Sequence, residues 1–332
     1  MIISIIGLKV RLIGDPHLGR KFEVGVPLDR RGEREKNVIE DFQARVRSRD
    51  MDLTICMGDL FDKFAVPPEI ELAAIDAYTG ISNKEQFIIM GNHDGSRDKL
   101  KRSSFDVFCS KFEKSEKVRP VKDAPLFYQG KNGNYICIIP WDAFVNAEEM
   151  AQAAIKIWEA MKKPVVEAVF GHWDLEDFAE FGGDTTNLVP VQTLRQMTKM
   201  IYTGHVHKAT KKVIADVEII STGSMQPYAH GEDSGTDVYE TLTLEELRQR
   251  DPATLKNKCI RVALQEGEEM PNDIDCLQMT RLFKKKKPGE EAEEVRVEQF
   301  DLDRLLNEAL DEKEVPKLVR DRITAKFAEM KK

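Results

Sequence analysis

Five short apolar runs in this 332-residue chain each meet a glycine, and His, Asp or Asn follows at once. The segments are RLIGDPH with Asp15 and His17, TICMGD with Asp59, IIMGNHD with Asn92, His93 and Asp94, AVFGHWD with His172, and MIYTGHVH with His205 and His207. These segments hold five of the six histidines. Polar residues at strand ends of an open α/β sheet collect at one edge, where ligands bind. Five such ends would meet in one pocket. His230 follows no such run and reads as a loop or rim histidine.

The rest of the chain supports that frame up to about residue 240. Apolar runs at Val10 to Ile13, Leu53 to Met57, Phe87 to Met90, Ile136 to Ile139, Val165 to Phe170, Lys199 to Thr203 and Val217 to Ile220 read as strands. Several are apolar at nearly every position, as expected of strands covered on both faces. Between them, Glu33 to Arg47 and Ala147 to Met161 have helical spacing, so the expected class is an α/β layered domain over residues 1–240. Residues 241–283 change character: Leu242 to Arg248 reads as helix, and Cys259 to Leu264 and Leu277 to Phe283 read as strands of a small α+β unit. Residues 284–295 read as a charged linker, and 296–332 as two amphipathic helices suited to a partner helix.

Composition limits the function classes. With 50 basic against 58 acidic side chains the net charge is −8, so nucleic-acid binding has to rest on local sites. Apolar residues at 41% exclude a disordered chain, and the opening apolar run, Met1 to Ile6, is too short for a signal peptide or membrane span. Five scattered cysteines without a CxxC read as reduced thiols of a cytoplasmic protein.

The donor types indicate what the pocket holds. Imidazole, carboxylate and amide oxygen without thiolate suit Mn²⁺, Fe²⁺ or Zn²⁺. Asp15, His17, Asp59, Asn92, His172, His205 and His207 are too many for one closed site. With one bridging carboxylate they make two four-ligand sets, and two cations about 3.5–4 Å apart would clamp a phosphoryl group. One histidine, His93, is left over for proton transfer. Taken singly, a DxH or GD after a strand means little; the order of five strand ends carries the reading.

That series, Asp-x-His, Gly-Asp, Gly-Asn-His-Asp, Gly-His and Gly-His-x-His, resembles the calcineurin-like metallophosphoesterase superfamily. The resemblance implies a two-sheet sandwich flanked by helices, with a small α+β capping domain and a C-terminal helix pair. Within the superfamily the chain resembles the SbcD-type nuclease subunit, a relative of the Mre double-strand-break repair nuclease. The supporting segments are GDLFD at 58–62, RRGERE at 30–35, IPW at 139–141 and TGS at 222–224. GHWDL at 171–175 is closest to the form in phage recombination endonucleases.

What the resemblance implies is specific. One metal would be held by Asp15, His17, Asp59 and His207, and the other by Asp59, Asn92, His172 and His205, with Asp59 bridging. His93 would serve the leaving oxygen, and Asp94 would either orient His93 or cap a turn. The activity would be Mn²⁺-dependent exonuclease and endonuclease cleavage of DNA, with Mg²⁺, Fe²⁺ or Zn²⁺ as other metals. The setting would be DNA repair, recombination or replication, in a host cytoplasm if the source is a phage. The partner would be an SbcC/Rad-type ABC ATPase, in a heterotetramer built on a homodimer. No GxxxxGK[ST] loop occurs here, so ATP dependence would come from that partner. Its contact would use Leu302, Leu305, Leu306, Leu318, Val319, Ile323 and Phe327. The alternatives are a metallophosphoesterase for small phosphodiesters or phosphoproteins, and a scaffold without activity.

Three basic clusters flank the metal-ligand segments and are expected to meet DNA phosphates: Arg30, Arg31 and Arg34; Lys99, Lys101 and Arg102; Lys208, Lys211 and Lys212.

Overall fold

Strands β1 (Ile2–Ile5) and β2 (Leu8–Ile13) form a hairpin whose turn, Ile6 and Gly7, takes φ of 50° and 70°. Helix α1 (Glu33–Arg47) leads to β3 (Leu53–Cys56), α2 (Pro68–Tyr78) to β4 (Glu85–Ile89), and α3 (Ser104–Phe112) to β5 (Val118–Val121). β2 to β5 run parallel in a five-stranded sheet of order β1-β2-β3-β4-β5. The second sheet takes β6 (Leu126–Gln129) and β7 (Tyr135–Ile138), then β8 (Val166–Gly171) after helix α4 (Ala147–Ala160). It continues with β9 (Met200–Thr203) after the short helix α5 (Val191–Leu194), and the hairpin β10 (Thr210–Ile214) and β11 (Val217–Ser221). Its order is β10-β11-β9-β8-β7-β6, with β7, β8, β9 and β11 parallel. This computed structural model describes residues 1–80, 84–96, 98, 100–175, 187–232, 238–265, 267–271 and 274–282.

The continuous apolar runs follow from the layering. Successive strand residues point to opposite faces. Val10, Leu12, Leu53, Ile55, Phe87 and Ile89 of the first sheet meet Ile136, Ile138, Ala168 and Phe170 of the second in the central core. Their neighbours Ile13, Cys56 and Ile88 face the other way, onto α1, α2 and α3 through Phe42, Tyr78 and Phe108. Cys137, Val169 and Ile201 likewise face α4 through Met150 and Ala154. Helix starts are set locally: Ser103 with Asp106 and Asn146 with Glu149 form capping boxes at α3 and α4.

Residues 239–282 add a parallel sheet of β12 (Tyr239–Thr243), β13 (Cys259–Ala263) and β14 (Gln278–Arg281), with helices α6 (Leu244–Gln249) and α7 (Pro252–Leu255). Here the structure departs from the expected helix at Leu242 to Arg248. Leu242 lies in a strand, and the helix starts at Leu244 because Thr243 caps it, with Glu246 bonding back. β1, β5, β6 and β10 were also not expected. β10 reads TKKVI and is an edge strand stabilised by pairing with β11, which a polar sequence does not announce. Residues 1–282 form one compact unit. The charged linker at 284–295 and the helix pair at 296–332, including Leu302, Leu305, Leu306, Leu318, Val319, Ile323 and Phe327, lie outside the described residues, as does Lys99. No helix among the described residues is long and apolar enough to cross a membrane.

Candidate metal centre

The loops that follow β2, β3, β4, β8 and β9 meet at one edge of the sandwich, and backbone hydrogen bonds lock them together. His17 N donates to Asp59 O at 3.0 Å, Met57 N to Ile13 O at 2.9 Å, and Gly204 N to Gly171 O at 3.0 Å. The TGS segment and the residue after it join in, because Ser224 N donates to His207 O at 2.9 Å and Met225 N to Asp15 O at 3.1 Å. The loops also carry strain: His17, Asp59 and His205 sit at φ of 45°, 48° and 70°. Such left-handed residues cost about 1–3 kcal/mol each and persist only where the surroundings hold them.

All seven expected ligands come together. Asp15, His17 and His207 make one group, and Asp59, His172 and His205 another, each with donor atoms within 4.8 Å of one another. Asp59 joins the two, since its Oδ2 lies 3.3 Å from His172 Nε2 and 3.7 Å from His17 Nε2. Asn92 Oδ1 sits 2.9 Å from both His172 Nε2 and His205 Nδ1. His17 Nε2 and His207 Nε2 face each other at 2.9 Å.

Hydrogen bonds behind the rings fix which nitrogen is presented. A carbonyl oxygen only accepts, so His172 Nδ1 donates to Met57 O at 3.0 Å, and in the neutral ring Nε2 turns a lone pair inward. Glu232 does the same for His207, accepting from Nδ1 at 3.1 Å. Glycines make room for this. Gly58, at φ 117°, passes so close to His172 that a Cβ would land on the imidazole, and a Cβ on Gly91 would land on Asp59.

The electrostatics call for a cation. Asp15 is fully buried and its Oδ1 has no hydrogen-bond partner. Burial pushes its carboxyl up to about 7, the Asp59 charge adds to this, and His172 opposes it. Burial would lower His172, but the Asp59 and Asp15 carboxylates push it up to about 9. Burial holds His17 far below, and His205 down to about 3, so both imidazoles are neutral donors. Buried carboxylates converging with imidazoles and an amide oxygen fit a pair of divalent cations of borderline character.

His93 stands at the exposed rim. Its N donates to Asp59 Oδ1 at 2.9 Å and its Nδ1 to Asp62 O at 2.6 Å. Asp94 does not orient that ring. Its carboxylate accepts from Leu60 N at 3.1 Å, Phe61 N at 2.9 Å and Gly91 N at 2.9 Å. It therefore caps the turns that carry Asp59 and Asn92, the alternative role expected of it.

The basic clusters divide. Arg34 is buried, donates to Gln278 Oε1 at 3.0 Å and to the Tyr239 hydroxyl at 2.5 Å, and lies 3.7 Å above the Phe22 ring. Arg30 donates to Glu33 at 2.8 Å and to Lys256 O at 2.5 Å. Both arginines tie α1 and its preceding loop to residues 239–282, so the donors expected to meet DNA phosphates are engaged within the chain. Arg31 is exposed. Lys101 pairs with Asp98 at 3.5 Å, Arg102 donates to Ser110 at 2.6 Å, and Lys211 pairs with Glu218 at 2.7 Å. Lys208 is exposed and Lys212 lies on β10. His230 packs against Tyr239 at 4.8 Å between ring centroids and is in none of the ligand groups.

Two residues had no sequence signal. Glu232 is one of 58 acidic side chains, and no spacing marks it as the partner of His207. Tyr228 is buried, donates to Pro16 O, and sets its ring 5.5 Å from that of His17.

Fold and site together define a metallophosphoesterase. The chain belongs to the calcineurin-like phosphoesterase family, whose model matches residues 8–209, more than half of its length. Among solved structures it is similar to a Staphylococcus aureus protein described as a 5′-nucleotidase, at 15% identity and TM-score 0.39 over 65% of this chain and 48% of that one. The chain thus spans about half of that protein's length (48%). It is also similar to phosphopantetheinyl hydrolase of Mycobacterium tuberculosis (13% identity, TM-score 0.41, 66% of this chain and 93% of that one). A Thermus thermophilus protein matches at 10% identity and TM-score 0.43, over 65% of this chain and 89% of that one. A sequence search of curated proteins finds no match.

Proposed function

We infer that the chain is a two-metal DNA phosphodiesterase, the nuclease subunit of an SbcC–SbcD-like repair and recombination complex. The observation that carries the hydrolytic part is the convergence of seven donors around Asp59, with His93 at the rim. Asp15, His17, Asp59 and His207 would hold one cation, and Asp59, Asn92, His172 and His205 the other. Bound divalent ions, Mn²⁺ first among them, supply Lewis-acid polarisation of the phosphoryl oxygens and activation of water.

The chain's own residues do the rest. Asp59, whose carboxyl is held below the usual range by His172 and His17 against the effect of burial, remains charged and shared between the two groups. His93 has its Nδ1–H engaged by Asp62 O, so Nε2 is the atom presented to a substrate. Protonated there, it would give its proton to the leaving 3′ or 5′ oxygen. The DNA assignment is supported by GDLFD at 58–62, IPW at 139–141 and TGS at 222–224. Two of these have structural tasks here: Trp141 N bonds Met90 O at 3.0 Å, bracing the strand that leads to GNHD, and Ser224 of TGS holds the His207 loop while Met225 beside it holds the Asp15 loop. The ATPase partner, the homodimer and the cytoplasmic setting belong to this same reading.

The test is to incubate the full chain with Mn²⁺ and a linear duplex, a phosphopeptide or a cyclic nucleotide, with His93→Ala alongside. The expected result is DNA cleavage that His93→Ala abolishes while Mn²⁺ binding survives. Turnover of the phosphopeptide or cyclic nucleotide with intact DNA would establish the alternative substrate class instead.

A further inference from the structure

A cleft of about 630 Å³ opens beside the ligand groups, and its walls include Arg20, Lys21, Lys63, Phe64, Asn92 and His93. It lies between the loop that carries His17 and the loops that carry Asp59 and Asn92. Asp62 is the acidic residue among its lining, and that carboxylate is turned toward His17 Nδ1 at 3.6 Å and Arg20 Nη1 at 3.9 Å. Arg20 is held in place by the Tyr228 ring, 5.0 Å below its guanidinium. Lys21 and Lys63 are exposed and make no ion pair among the described residues. Three cations against one engaged carboxylate make a positive cleft on a chain whose net charge is −8. Like charges gathered on one side of a shallow depression raise the local potential for an anion. None of these three residues belongs to the basic clusters that flank the motifs in sequence.

We propose that Arg20, Lys21 and Lys63 form a second phosphate subsite, which takes the phosphate next to the scissile one. The inference rests on the phosphodiesterase reading above. The cleft contains His93 and Asn92, so an occupant there is continuous with a phosphoryl group at the metal ligands. Arg20 supplies a planar fork held by Tyr228, and the two lysines supply point charges. Phe64 adds an apolar wall beside them. A substrate carrying one phosphate leaves this subsite empty. A nucleotide chain fills it, so the subsite selects a polyanionic strand over a small diester.

The test uses a single scissile bond and varies one phosphate. Thymidine 5′-(p-nitrophenyl phosphate) is compared with the same ester carrying a 3′-phosphate, using the full chain with Mn²⁺ at low salt. The 3′-phosphate is expected to raise kcat/KM about tenfold, as charge-assisted hydrogen bonds of ordinary strength allow. In the Lys21→Gln/Lys63→Gln double variant that ratio falls to near one, while Lys36→Gln on α1 keeps it. A ratio near one in the wild type, or a ratio kept by the double variant, overturns the subsite. If neither ester turns over, the phosphodiesterase reading fails, and binding then decides the subsite separately. Fluorescence anisotropy of a labelled tetrathymidylate in EDTA should show binding by the wild type that the double substitution removes. Equal binding by both proteins, or none by either, overturns the proposal.

Discussion

His207 donates from Nδ1 to Glu232 Oε1 at 3.1 Å, and the other oxygen of that carboxylate accepts from Tyr228 N at 2.8 Å. Glu232, eight positions beyond the TGS segment, thereby fixes both a ring and the loop that supports it. In the neutral imidazole the bond also decides that Nε2, not Nδ1, faces His17 and Asp15. Glu232→Ala should therefore weaken Mn²⁺ binding about 10–100-fold, as loss of a carboxylate behind a ligating histidine does. Titration calorimetry with Mn²⁺ checks this. Unchanged affinity would mean that packing alone orients the ring.

Gly91→Ala tests the closeness of the motif loops. The added methyl would meet the Asp59 carboxylate and Asp59 N, neither of which can retreat without moving the shared ligand. Overpacking of this kind costs about 1–3 kcal/mol. The expected outcome is a lower urea midpoint at unchanged m-value, together with loss of Mn²⁺-dependent turnover. Wild-type values for both would show that the loop has slack.

Asp94→Ala should be among the most damaging changes that touch no ligand. It removes the acceptor of three backbone N–H groups, those of Leu60, Phe61 and Gly91. Each buried donor left unpaired costs about 1–3 kcal/mol. Both stability and metal affinity are expected to fall, because Asp59 and Asn92 each sit one residue from a released donor. A stability loss below about 1 kcal/mol would rule out this capping role.

Arg34 separates structure from nucleic-acid contact. Its guanidinium lies on Phe22 and bonds Tyr239 and Gln278, joining α1 to the small sheet. Arg34→Ala is expected to destabilise the protein by about 2–4 kcal/mol, through an emptied site and unpaired partners, and Arg34→Lys should recover little because an ammonium lacks the planar fork. The salt dependence of DNA binding should stay the same. A shallower salt slope in Arg34→Ala would return this residue to the DNA surface.

The Asp106 carboxylate in the first turn of α3 gives a pH signature that involves no proposed ligand. Burial works against its charge, but the Lys122 ammonium and the N–H and hydroxyl of Ser103 hold its pKa below the usual aspartate value. A depressed folded pKa means that its contribution is complete above the unfolded value and is lost as pH falls through the folded one. Asp106→Asn should thus lower Tm at pH 7, and the gap from wild type should narrow as the pH falls below about 4. A gap that does not change with pH would mean that the charge contributes nothing.

The sequence alone determined the architecture of the site. Apolar runs without polar breaks required strands covered on both faces, and glycines at their ends required the following His, Asp and Asn to share one edge. Strand ends in a parallel sheet point the same way, so seven donors spread from Asp15 to His207 could be grouped before any distance was known. Which residues support them was settled only by tertiary structure. Asp94 could serve His93 or a turn, and the choice fell to three N–H groups from two loops. Arg34 looked the same in an RRGERE string whether solvent or the Phe22 ring lay above it. Glu232 carries no mark beyond its charge until His207 is placed beside it. Backbone periodicity is written locally, whereas a charged side chain takes its task from whatever distant segments bring within about 3 Å of it.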